Sequence, residues 1–427
     1  MKLSEKFLQH IWAFKLYNSD FLCDVNGNKI EVLSPGVYNN DSGPDFFNAK
    51  IKIEETIWAG NIEIHINSSD WKKHNHNEDK AYDNIILHVV YKNDEKIFRN
   101  SGEEIPALEI IFDNKILEKY NQLIENSSSI SCSSDLKTID TFSINSWLNT
   151  LLIERIENKT NAVKQILDST KSNWEETFYI LLARSLGTNV NAEPFEILAK
   201  SITQTILAKH KSNKFQLEAL LFGQAGFLDS DNCEDVYFLN LKKEYLFLKQ
   251  KYALVSIQNH LWKFLRLRPP SFPTVRISQF ADLIFKSNHL FSKIIEIKNI
   301  EQIVDLFSVN ASEYWQTHFT FGKESEKTIK SIGRTTIDTI IINTIVPILF
   351  LYGKEKDNEK ITEKALNFIE SLPSEKNNIT ELWTKIGIEN KNASISQSLI
   401  QLKKEYCDKQ KCLDCRIGNK LISNKLK

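Results

Sequence analysis

The spacing of apolar residues divides the chain into a β-rich first part and a helical second part. Residues 4–15 carry apolar side chains three and four positions apart, which predicts an amphipathic helix. Short runs of β-branched and aromatic residues between turn-forming residues then predict strands. These strands occupy 29–33, 46–53, 57–66, 85–91 and 107–112. The segment 69–79 predicts a short helix between the third and the fourth strand.

A polar, serine-rich segment at 126–136 follows and predicts a linker. Beyond it, apolar residues recur three and four positions apart, which is typical of helices. The clearest helical segments are 147–164, 174–186, 193–209, 214–222, 239–254, 279–286 and 361–372. We therefore expect an α+β protein, with an α/β domain at 1–125, the linker at 126–136 and a large all-helical domain at 137–427.

Composition and charge narrow the class of protein. The 427 residues are 41% hydrophobic and 26% charged, which is ordinary for a soluble globular protein. The formal net charge of −1 supplies no overall attraction to nucleic acid or to an anionic membrane, so such a partner would need a local basic patch. The N-terminus lacks the apolar segment of a signal peptide, and six cysteines without an export signal indicate reduced thiols. We expect a cytoplasmic protein.

The most apolar stretch of the chain is 337–352. It contains Asp338, Asn343 and Pro347, and it is too short to span a bilayer. A proline inside a helical pattern ends or kinks the helix. The pattern therefore predicts a buried helix that is broken or ends near Pro347, and no membrane segment.

Histidines and carboxylates concentrate in the strand-rich part. Five of the nine histidines lie at or before position 88, in the same stretch as Asp45 and Glu63. Alternate residues of a strand share a face, so Glu63 and His65 project together. A chain reversal near 58–60 would bring Asp45, at the start of the preceding strand, beside Glu63. Two carboxylates that meet repel each other unless a cation bridges them, which predicts a Mg²⁺ or Mn²⁺ site at Asp45 and Glu63.

The same region supports a second interpretation. His74, His76 and Asp79, with His65 or His88, supply enough nitrogen and oxygen ligands for a tetrahedral zinc ion. Ordinary structural roles also explain each residue. The aspartate after Gly-Pro can cap a turn, and Glu63 and His65 can form the polar face of a half-exposed sheet. His88 can be a hydrogen-bonded core residue, and His74 and His76 can lie on a lysine-rich surface helix.

The second half has one motif with the spacing of a metal site. Cys407-x4-Cys412-x2-Cys415 places three thiols in a short segment, as in zinc knuckles and iron–sulfur loops. A fourth ligand must come from elsewhere, and the first candidate is Cys132. The alternatives are Cys23, Cys233 and a histidine. We expect zinc or an iron–sulfur cluster at these cysteines, or else three unliganded reduced thiols.

Two segments concentrate positive charge. Residues 403–427 hold eight basic side chains and three acidic ones. A second segment combines Trp262 and Lys263 with Arg266, Arg268 and Arg276 around two prolines. Either segment can contact the phosphates of nucleic acid, although such runs are commonly solvated helix faces.

The acidic residues of the first domain resemble the active site of the PD-(D/E)xK phosphodiesterase superfamily. Pro44-Asp45 resembles its Pro-Asp, Glu63 its second acid, and Glu5 the acid of its first helix. His65 stands where that superfamily has lysine, and a histidine can orient water or carry a proton. The resemblance implies a restriction-endonuclease-like α/β domain and metal-dependent hydrolysis of DNA or RNA, with Glu5, Asp45, Glu63 and His65 as catalytic residues.

The histidine in place of lysine leaves two other functions open. One is a non-catalytic module with a degenerate nuclease fold that binds nucleic acid or protein. The other is a zinc-dependent hydrolase that uses the histidine cluster. Some nucleases of the superfamily hold an iron–sulfur cluster with one distant and three grouped cysteines, so the resemblance implies the same for the cysteine motif.

Over its full length the chain also resembles an uncharacterised bacterial family, domain of unknown function 2851. The segments that carry this resemblance are Gly43-Pro44-Asp45-Phe46, Asn48-Ala49, Trp58-Ala59-Gly60-Asn61-Ile62-Glu63-Ile64-His65, Ser69-Asp70-Trp71, Ala81-Tyr82-Asp83-Asn84, Leu87-His88-Val89-Val90, Leu221-Phe222-Gly223-Gln224-Ala225-Gly226, Arg266-Leu267-Arg268-Pro269 and Cys412-Leu413-x-Cys415-x-Ile417-Gly418. This resemblance implies no activity, so the expected function depends on the chemistry of the residues described above.

Overall fold

The structure is a computed structural model that describes residues 3–20, 22–39, 41–99, 101–230 and 233–423. The chain forms two compact units. The first unit consists of 1–147 and 402–427 and contains a six-stranded sheet. The second unit, 148–401, is mostly helical. The protein therefore combines a small sheet near the N-terminus with a large helical region, as an α+β protein does.

The first unit begins with helix α1, Glu5–Ala13. The side chain of Ser4 caps this helix by accepting a hydrogen bond from the backbone N–H of Phe7. The apolar face of the helix, which includes Phe7, is buried. Helix α1 packs on the central strand β4, Thr56–Asn67, so the residues of its first turns lie close to that strand.

The sheet of the first unit contains both antiparallel and parallel pairs. Its strands are β1 Ile30–Ser34, β2 Val37–Tyr38, β3 Phe46–Ile53, β4 Thr56–Asn67, β5 Ile85–Lys92 and β6 Ala107–Glu109. The spatial order is β1, β3, β4, β5, β6, and β2 pairs with β3. Strands β1, β2 and β4 are antiparallel to β3, whereas β5 is parallel to β4 and β6 is parallel to β5. The connection from β4 to β5 contains helix α2, Asp70–Lys73, and helix α3, Asn114–Glu125, follows the sheet.

Strands β3 and β4 form a hairpin whose loop is Glu54 and Glu55. Glu54 has a φ of 52°, a left-handed conformation that closes this short loop. The predicted reversal near 58–60 was therefore wrong, because those residues lie inside β4. A Cβ atom at Gly60 would lie 2.5 Å from the side chain of Ile86, so glycine at this position allows β4 and β5 to approach closely.

The second unit contains most of the helices. The chain enters it along helix α4, Thr141–Ser169. The helices that follow are α5 Trp174–Leu186, α6 Thr188–Ser201, α7 Gln204–Lys209, α8 Lys214–Gln224, α9 Val236–Tyr252, α10 Pro273–Lys286, α11 Leu290–Glu296, α12 Ile300–Phe307, α13 Arg334–Ile340, α14 Val346–Glu355, α15 Glu359–Ser371, α16 Asn378–Lys385 and α17 Ala393–Gln401. Each helical segment predicted from the sequence overlaps these helices, and the segment 193–209 is divided into two by extended residues at Ile202 and Thr203.

A small β-hairpin interrupts the helices of the second unit. Strands β7, His318–Thr320, and β8, Lys323–Glu324, form a two-stranded antiparallel sheet. The expectation of an all-helical domain at 137–427 was therefore wrong at this hairpin. Strands of two and three residues are too short to produce the alternating pattern by which strands are recognised in a sequence.

One helical run among the described residues is long and apolar enough to be considered as a membrane span. It covers Arg334–Glu355, 22 residues, and 72% of its most apolar window is buried inside the protein. The helix does not end near Pro347, because it continues from α13 to α14, but its α-helical geometry is interrupted just before the proline by a π-helical turn at Ile341–Ile345. Its burial indicates a core helix rather than a membrane segment.

The C-terminal segment belongs to the first unit. Its last helix, α18, Arg416–Ser423, packs against α3 and buries Ile417, Leu421 and Ile422. The sequence-based domain 137–427 had placed this segment with the helical unit. The order of elements along the chain does not show that the apolar face of α18 fits against α3. The sequence therefore did not predict that the C-terminal segment packs in the first unit.

The polar segment at 126–136 also lies in the first unit. It has little regular structure before a 3₁₀ turn at Leu136–Thr138, but Ile130 and Leu136 are buried. The segment is therefore packed against the unit rather than extended through solvent. The compact unit continues past it to residue 147.

Candidate functional site

Asp45 and Glu63 lie side by side on the paired strands β3 and β4. Phe46 is opposite Ile62 in the strand register, which places the preceding Asp45 next to Glu63. The backbone N–H of Asp45 donates to Glu63 Oε2 at 3.0 Å, and the backbone N–H of Ile64 donates to Asp45 Oδ2 at 3.0 Å. These reciprocal bonds orient both carboxyl groups.

Both carboxyl groups are held in a poorly solvated environment. Burial, followed by the charge of Glu63, raises the pKa of Asp45 to about 7. Burial raises the pKa of Glu63 to about 8, although the Asp45 backbone N–H acts in the opposite direction. The Nε2 amide of Gln9 donates to Asp45 Oδ1 at 2.8 Å. Both oxygens of Asp45 therefore accept protein hydrogen bonds, whereas Glu63 Oε1 faces the histidines.

His65 lies at the centre of the histidine cluster and is only 1% exposed. Its Nδ1 is 2.8 Å from His88 Nε2, and its Nε2 is 3.1 Å from His74 Nδ1. The contact with His88 follows from the parallel pairing of β4 and β5, in which Glu63 is opposite His88. Burial, followed by the neighbouring histidines, lowers the pKa of His65 far below its usual value, so the ring is neutral, as metal binding requires.

His74 and His76 reach the cluster from the turn after α2. Asn75, between them, has a φ of 58°, a left-handed conformation that asparagine tolerates better than most residues. The ring of His76 stacks on Tyr82, with centroids 3.8 Å apart. His74 is exposed and His76 is partly buried, so the cluster is open to solvent on this side.

Three imidazoles converge, and one carboxylate oxygen lies close to two of them. The ligand atoms of His65, His74 and His76 all lie within 4.8 Å of one another. Glu63 Oε1 is 3.2 Å from His76 Nε2 and 3.7 Å from His65 Nε2. Around a tetrahedral zinc ion with bonds of 2.0–2.1 Å, neighbouring ligand atoms are about 3.3 Å apart. We call the group formed by Glu63, His65, His74 and His76 the histidine–carboxylate site.

The hydrogen bonding of His76 favours this interpretation. Its Nε2 is buried and has no hydrogen-bond partner, although it lies 3.2 Å from Glu63 Oε1. The two atoms are close without being aligned as donor and acceptor, which fits two ligands directed at a common ion. Burial lowers the pKa of His76, which also favours the neutral, metal-binding form of the ring.

Glu5 lies beside the histidine–carboxylate site. Its carboxylate accepts a hydrogen bond from the backbone N–H of Ile66 and interacts electrostatically with His74 and His76. Burial raises the pKa of Glu5 above its usual value. Glu5 in turn raises the pKa of Glu63, so the acid of the first helix and the acid of β4 are close in space.

Most of the residues predicted for the site lie in this one region. They are Glu5, Asp45, Glu63, His65, His74, His76 and His88. Asp79 has a different contact, since its Oδ1 accepts a hydrogen bond from the backbone N–H of Ala81 at 2.9 Å and caps a 3₁₀ turn. The charge of Asp79 still raises the pKa of His76, but its carboxylate is engaged by the backbone.

Sequence reasoning missed Gln9 and Tyr82. Gln9 is four residues after Glu5 on α1, so helical periodicity would have placed both on the face that meets Asp45. Tyr82 lies in one of the segments that carry the family resemblance, but sequence reasoning assigned it no role at the site, because its contact with His76 depends on the path of the turn between α2 and β5.

The donor atoms favour a transition metal over magnesium. Mg²⁺ prefers octahedral oxygen ligands, whereas imidazole suits zinc and related ions. Three of the four groups of the histidine–carboxylate site are imidazoles, and both oxygens of Asp45 already accept hydrogen bonds. Of Asp45 and Glu63, the two residues expected to hold Mg²⁺ or Mn²⁺, only Glu63 therefore has an oxygen, Oε1, that is available to bind a metal ion. The atoms around this oxygen suit Zn²⁺ better.

Four of the six cysteines line one cavity in the first unit. They are Cys132, Cys407, Cys412 and Cys415. Burial, followed by the neighbouring thiols, raises the pKa of Cys132 to about 12 and that of Cys412 to about 11. Of the alternative fourth ligands, Cys23 is exposed and Cys233 packs against the core of the second unit.

The basic segment near position 270 is largely a core element. Arg276 is 5% exposed, and burial lowers its pKa to about 10. Trp262 is also buried, with its Nε1 donating to the backbone oxygen of Ala225 at 2.8 Å. The expectation that these two residues contact phosphates was therefore wrong, whereas Lys263, Arg266 and Arg268 of this group are exposed.

The second basic segment, 403–427, is partly neutralised by ion pairs. These pairs are Lys403 with Asp408, Lys409 with Glu405, and Lys420 with Asp140. Residues 424–427, which include two of the lysines, lie outside the described residues. The described part of this segment therefore offers fewer unpaired cations than its composition indicates.

Residues 5–378 match the model of a family described as "Protein of unknown function (DUF2851)". The chain therefore belongs to this family, as its resemblance to domain of unknown function 2851 predicted. The matched range includes the whole histidine–carboxylate site and ends before Cys407. Comparisons with curated proteins and with solved structures found no match.

Proposed function

We propose that the protein is a metal-dependent phosphodiesterase that hydrolyses DNA or RNA in the cytoplasm and holds one divalent ion at the histidine–carboxylate site. The observation that carries this proposal is the convergence of His65, His74 and His76, with Glu63 Oε1 beside His65 and His76. These donors suit Zn²⁺, with Mn²⁺ as an alternative because of the carboxylate.

A phosphodiester substrate is supported by the resemblance to the PD-(D/E)xK superfamily. The first domain would then be restriction-endonuclease-like. Glu5 on α1, Asp45 before β3 and Glu63 on β4 follow the order of acids in that superfamily. The three carboxyl groups interact electrostatically with one another, as residues of a single site do. His65, the residue in place of lysine, is then a metal ligand instead of a cationic group.

The residues of the site have different roles in this proposal. Glu63 and the three histidines hold the ion, and His88 positions His65 through the 2.8 Å contact between their rings. Asp45 positions Glu63 by donating its backbone N–H to Oε2. Glu5 interacts electrostatically with the exposed His74, and in this proposal its carboxylate exchanges protons between the site and the solvent. When bound, the ion stabilises negative charge on the phosphate and makes a water molecule more acidic.

Hydrolysis assays with the full-length protein test the proposal. The protein is treated with a chelator and then incubated with single-stranded DNA, double-stranded DNA or RNA in the presence of Zn²⁺, Mn²⁺ or Mg²⁺. We expect cleavage with Zn²⁺ or Mn²⁺ and none with chelator alone. His74→Ala should abolish cleavage without unfolding the protein, because this side chain is exposed.

The matched control is His260→Ala, which removes an exposed histidine of the second unit and should leave cleavage unchanged. Cleavage that persists in both His74→Ala and Glu63→Gln would contradict the proposal. If no metal supports cleavage but nucleic acid is bound equally with and without metal, the protein is instead a non-catalytic binding module.

A further inference from the structure

The cavity lined by four cysteines gathers three separate segments of the chain. Cys132 comes from the irregular segment after α3, and Cys407 ends a π-helical turn at Leu402–Cys407. Cys412 and Cys415 come from the loop before α18. The sequence distance between Cys132 and the other three shows that this arrangement is a product of the tertiary structure.

The thiols lie close enough to influence one another electrostatically. Each pair of these four thiols interacts electrostatically: the negative charge of one member of the pair raises the pKa of the other. The four are Cys132, Cys407, Cys412 and Cys415. Among the described residues, no carboxylate and no imidazole lines the cavity, and Lys411 is the one charged residue there. The remaining walls include Leu123 and Tyr406, so the sulfur atoms are the principal ligand atoms that face this space.

The backbone around Cys415 is arranged to stabilise a thiolate. Burial raises the pKa of Cys415, and the backbone N–H groups of Gly418 and Ile417, in the first turn of α18, act in the opposite direction because they donate hydrogen bonds to its sulfur. Hydrogen bonds to sulfur and the N-terminus of a helix both favour the anionic form that binds metal. A Cβ atom at position 418 would lie 2.1 Å from the backbone oxygen of Cys412, so glycine allows α18 to close against the loop that carries both ligands.

The separation of the sulfur atoms decides between one ion and a cluster. Among the described residues, the groups of three or more ligand atoms within 4.8 Å of one another do not include any three of these cysteines. Around a single zinc ion with Zn–S bonds of 2.3 Å, the sulfur atoms would be about 3.8 Å apart. In every set of three of these thiols, at least one pair of sulfur atoms is therefore more than 4.8 Å apart, as around a centre made of several metal atoms.

We infer that Cys132, Cys407, Cys412 and Cys415 bind a [4Fe–4S] cluster that connects the C-terminal segment to the polypeptide after α3. Each cysteine loses its thiol proton when it binds one iron atom, and the inorganic iron and sulfide complete the cluster. The cluster is structural, because it links segments of the first unit that are far apart in sequence. This inference does not depend on the proposed hydrolysis.

Metal analysis of protein purified without oxygen from iron-supplied cells tests the inference. We expect about four iron atoms and about four acid-labile sulfides per chain, with broad visible absorbance. Cys412→Ser should lose the iron and the colour. The matched controls are Cys23→Ser, at an exposed thiol, and Cys233→Ser, in the second unit, and both should retain them.

A measurement on the unmodified protein covers the case in which a cysteine variant does not fold. Each thiol is alkylated under native conditions, before and after the metal is removed, and the labelled cysteines are identified by mass spectrometry. Cys132, Cys407, Cys412 and Cys415 should be protected until the metal is removed, whereas Cys23 should react in both samples. One zinc per chain without sulfide, or the absence of both metals with no protection, would overturn the inference.

Discussion

The histidine–carboxylate site and the four-cysteine site belong to the same unit but are assembled in opposite ways. The first takes all four of its residues from β4 and the turn after α2, within a short length of chain. The second joins residue 132 to residues near the C-terminus. One site therefore depends on strand register and a local turn, whereas the other depends on the packing of distant segments.

Because the two sites are assembled differently, we expect the loss of one residue to have different consequences at the histidine–carboxylate site and at the four-cysteine site. His74 is exposed at the rim of the first site, and Glu63 is already uncharged near neutral pH without metal, since burial raises its pKa to about 8. Removing either ligand should affect chemistry more than folding. The four cysteines instead join the segment after α3 to the C-terminal segment, which are otherwise held together by helix packing. Losing one of these cysteines should therefore lower the stability of the first unit more than it lowers the rate of hydrolysis.

The largest effect is expected for Glu63→Gln compared with Asp45→Asn. We expect Glu63→Gln to lower the rate of phosphodiester cleavage by about 1000-fold or more, because it removes the anionic metal ligand. Asp45→Asn should lower it less than about tenfold, since the backbone N–H that orients Glu63 remains. Single-turnover cleavage at saturating Zn²⁺ measures both rates. Equal losses would show that the two carboxylates bind the metal as a pair.

The next largest effect is expected at the four-cysteine site. Cys415→Ser should lower the free energy of unfolding of the first unit by about 3 kcal/mol, because a ligand that couples folding to metal binding is lost. Cys23→Ser should change it by less than about 0.5 kcal/mol, as an exposed substitution does. Denaturant unfolding followed by circular dichroism provides the measurement. A stable Cys415→Ser protein would show that helix packing alone holds the C-terminal segment.

A smaller effect is expected when His88 is changed. His88→Leu removes the partner of His65 Nδ1 and should weaken metal binding by about 10–100-fold, because the ring of His65 is no longer oriented. His88→Gln retains a hydrogen-bonding group of similar length and should recover part of this affinity. Competition with a chromophoric chelator measures the affinities of both variants. Similar losses in the two variants would indicate a packing defect instead of lost orientation.

The smallest effect concerns pH and His10, a buried residue of α1 whose environment includes Asp414 of the C-terminal segment. Burial lowers the pKa of His10 to about 4, below the value of about 6.5 expected in the unfolded chain. Between these values the unfolded chain binds more protons than the folded protein, so stability falls as the pH falls. We expect this group to contribute a loss of about 1 kcal/mol between pH 7 and pH 5.5.

Unfolding experiments at several pH values, on the unmodified protein and on His10→Gln, isolate this contribution. The variant should show a shallower loss of stability on acidification. If both proteins lose stability in parallel, His10 is not the group responsible, and the other buried histidines of the first unit account for the dependence.

The strands and the main helices were accessible from the sequence because each has a strong local pattern. Strand β3 was predicted with its observed bounds, and β4 and β5 within one residue at each end. The errors fall where local patterns are weak. The short hairpin β7–β8 has too few residues to alternate, and the loop at Glu54 was hidden because a left-handed glutamate has no sequence signature.

The sequence by itself determined which residue types this protein has for binding metals, and strand periodicity determined that Glu63 and His65 share a face. Only the tertiary structure decided which of these residues meet. The parallel pairing of β4 with β5 brings His88 to His65, the left-handed Asn75 brings His74 and His76 to the same point, and the docking of α18 on α3 brings the C-terminal cysteines to Cys132. The physical reason is that periodicity depends on neighbouring residues, whereas convergence depends on packing between segments that are distant in the chain.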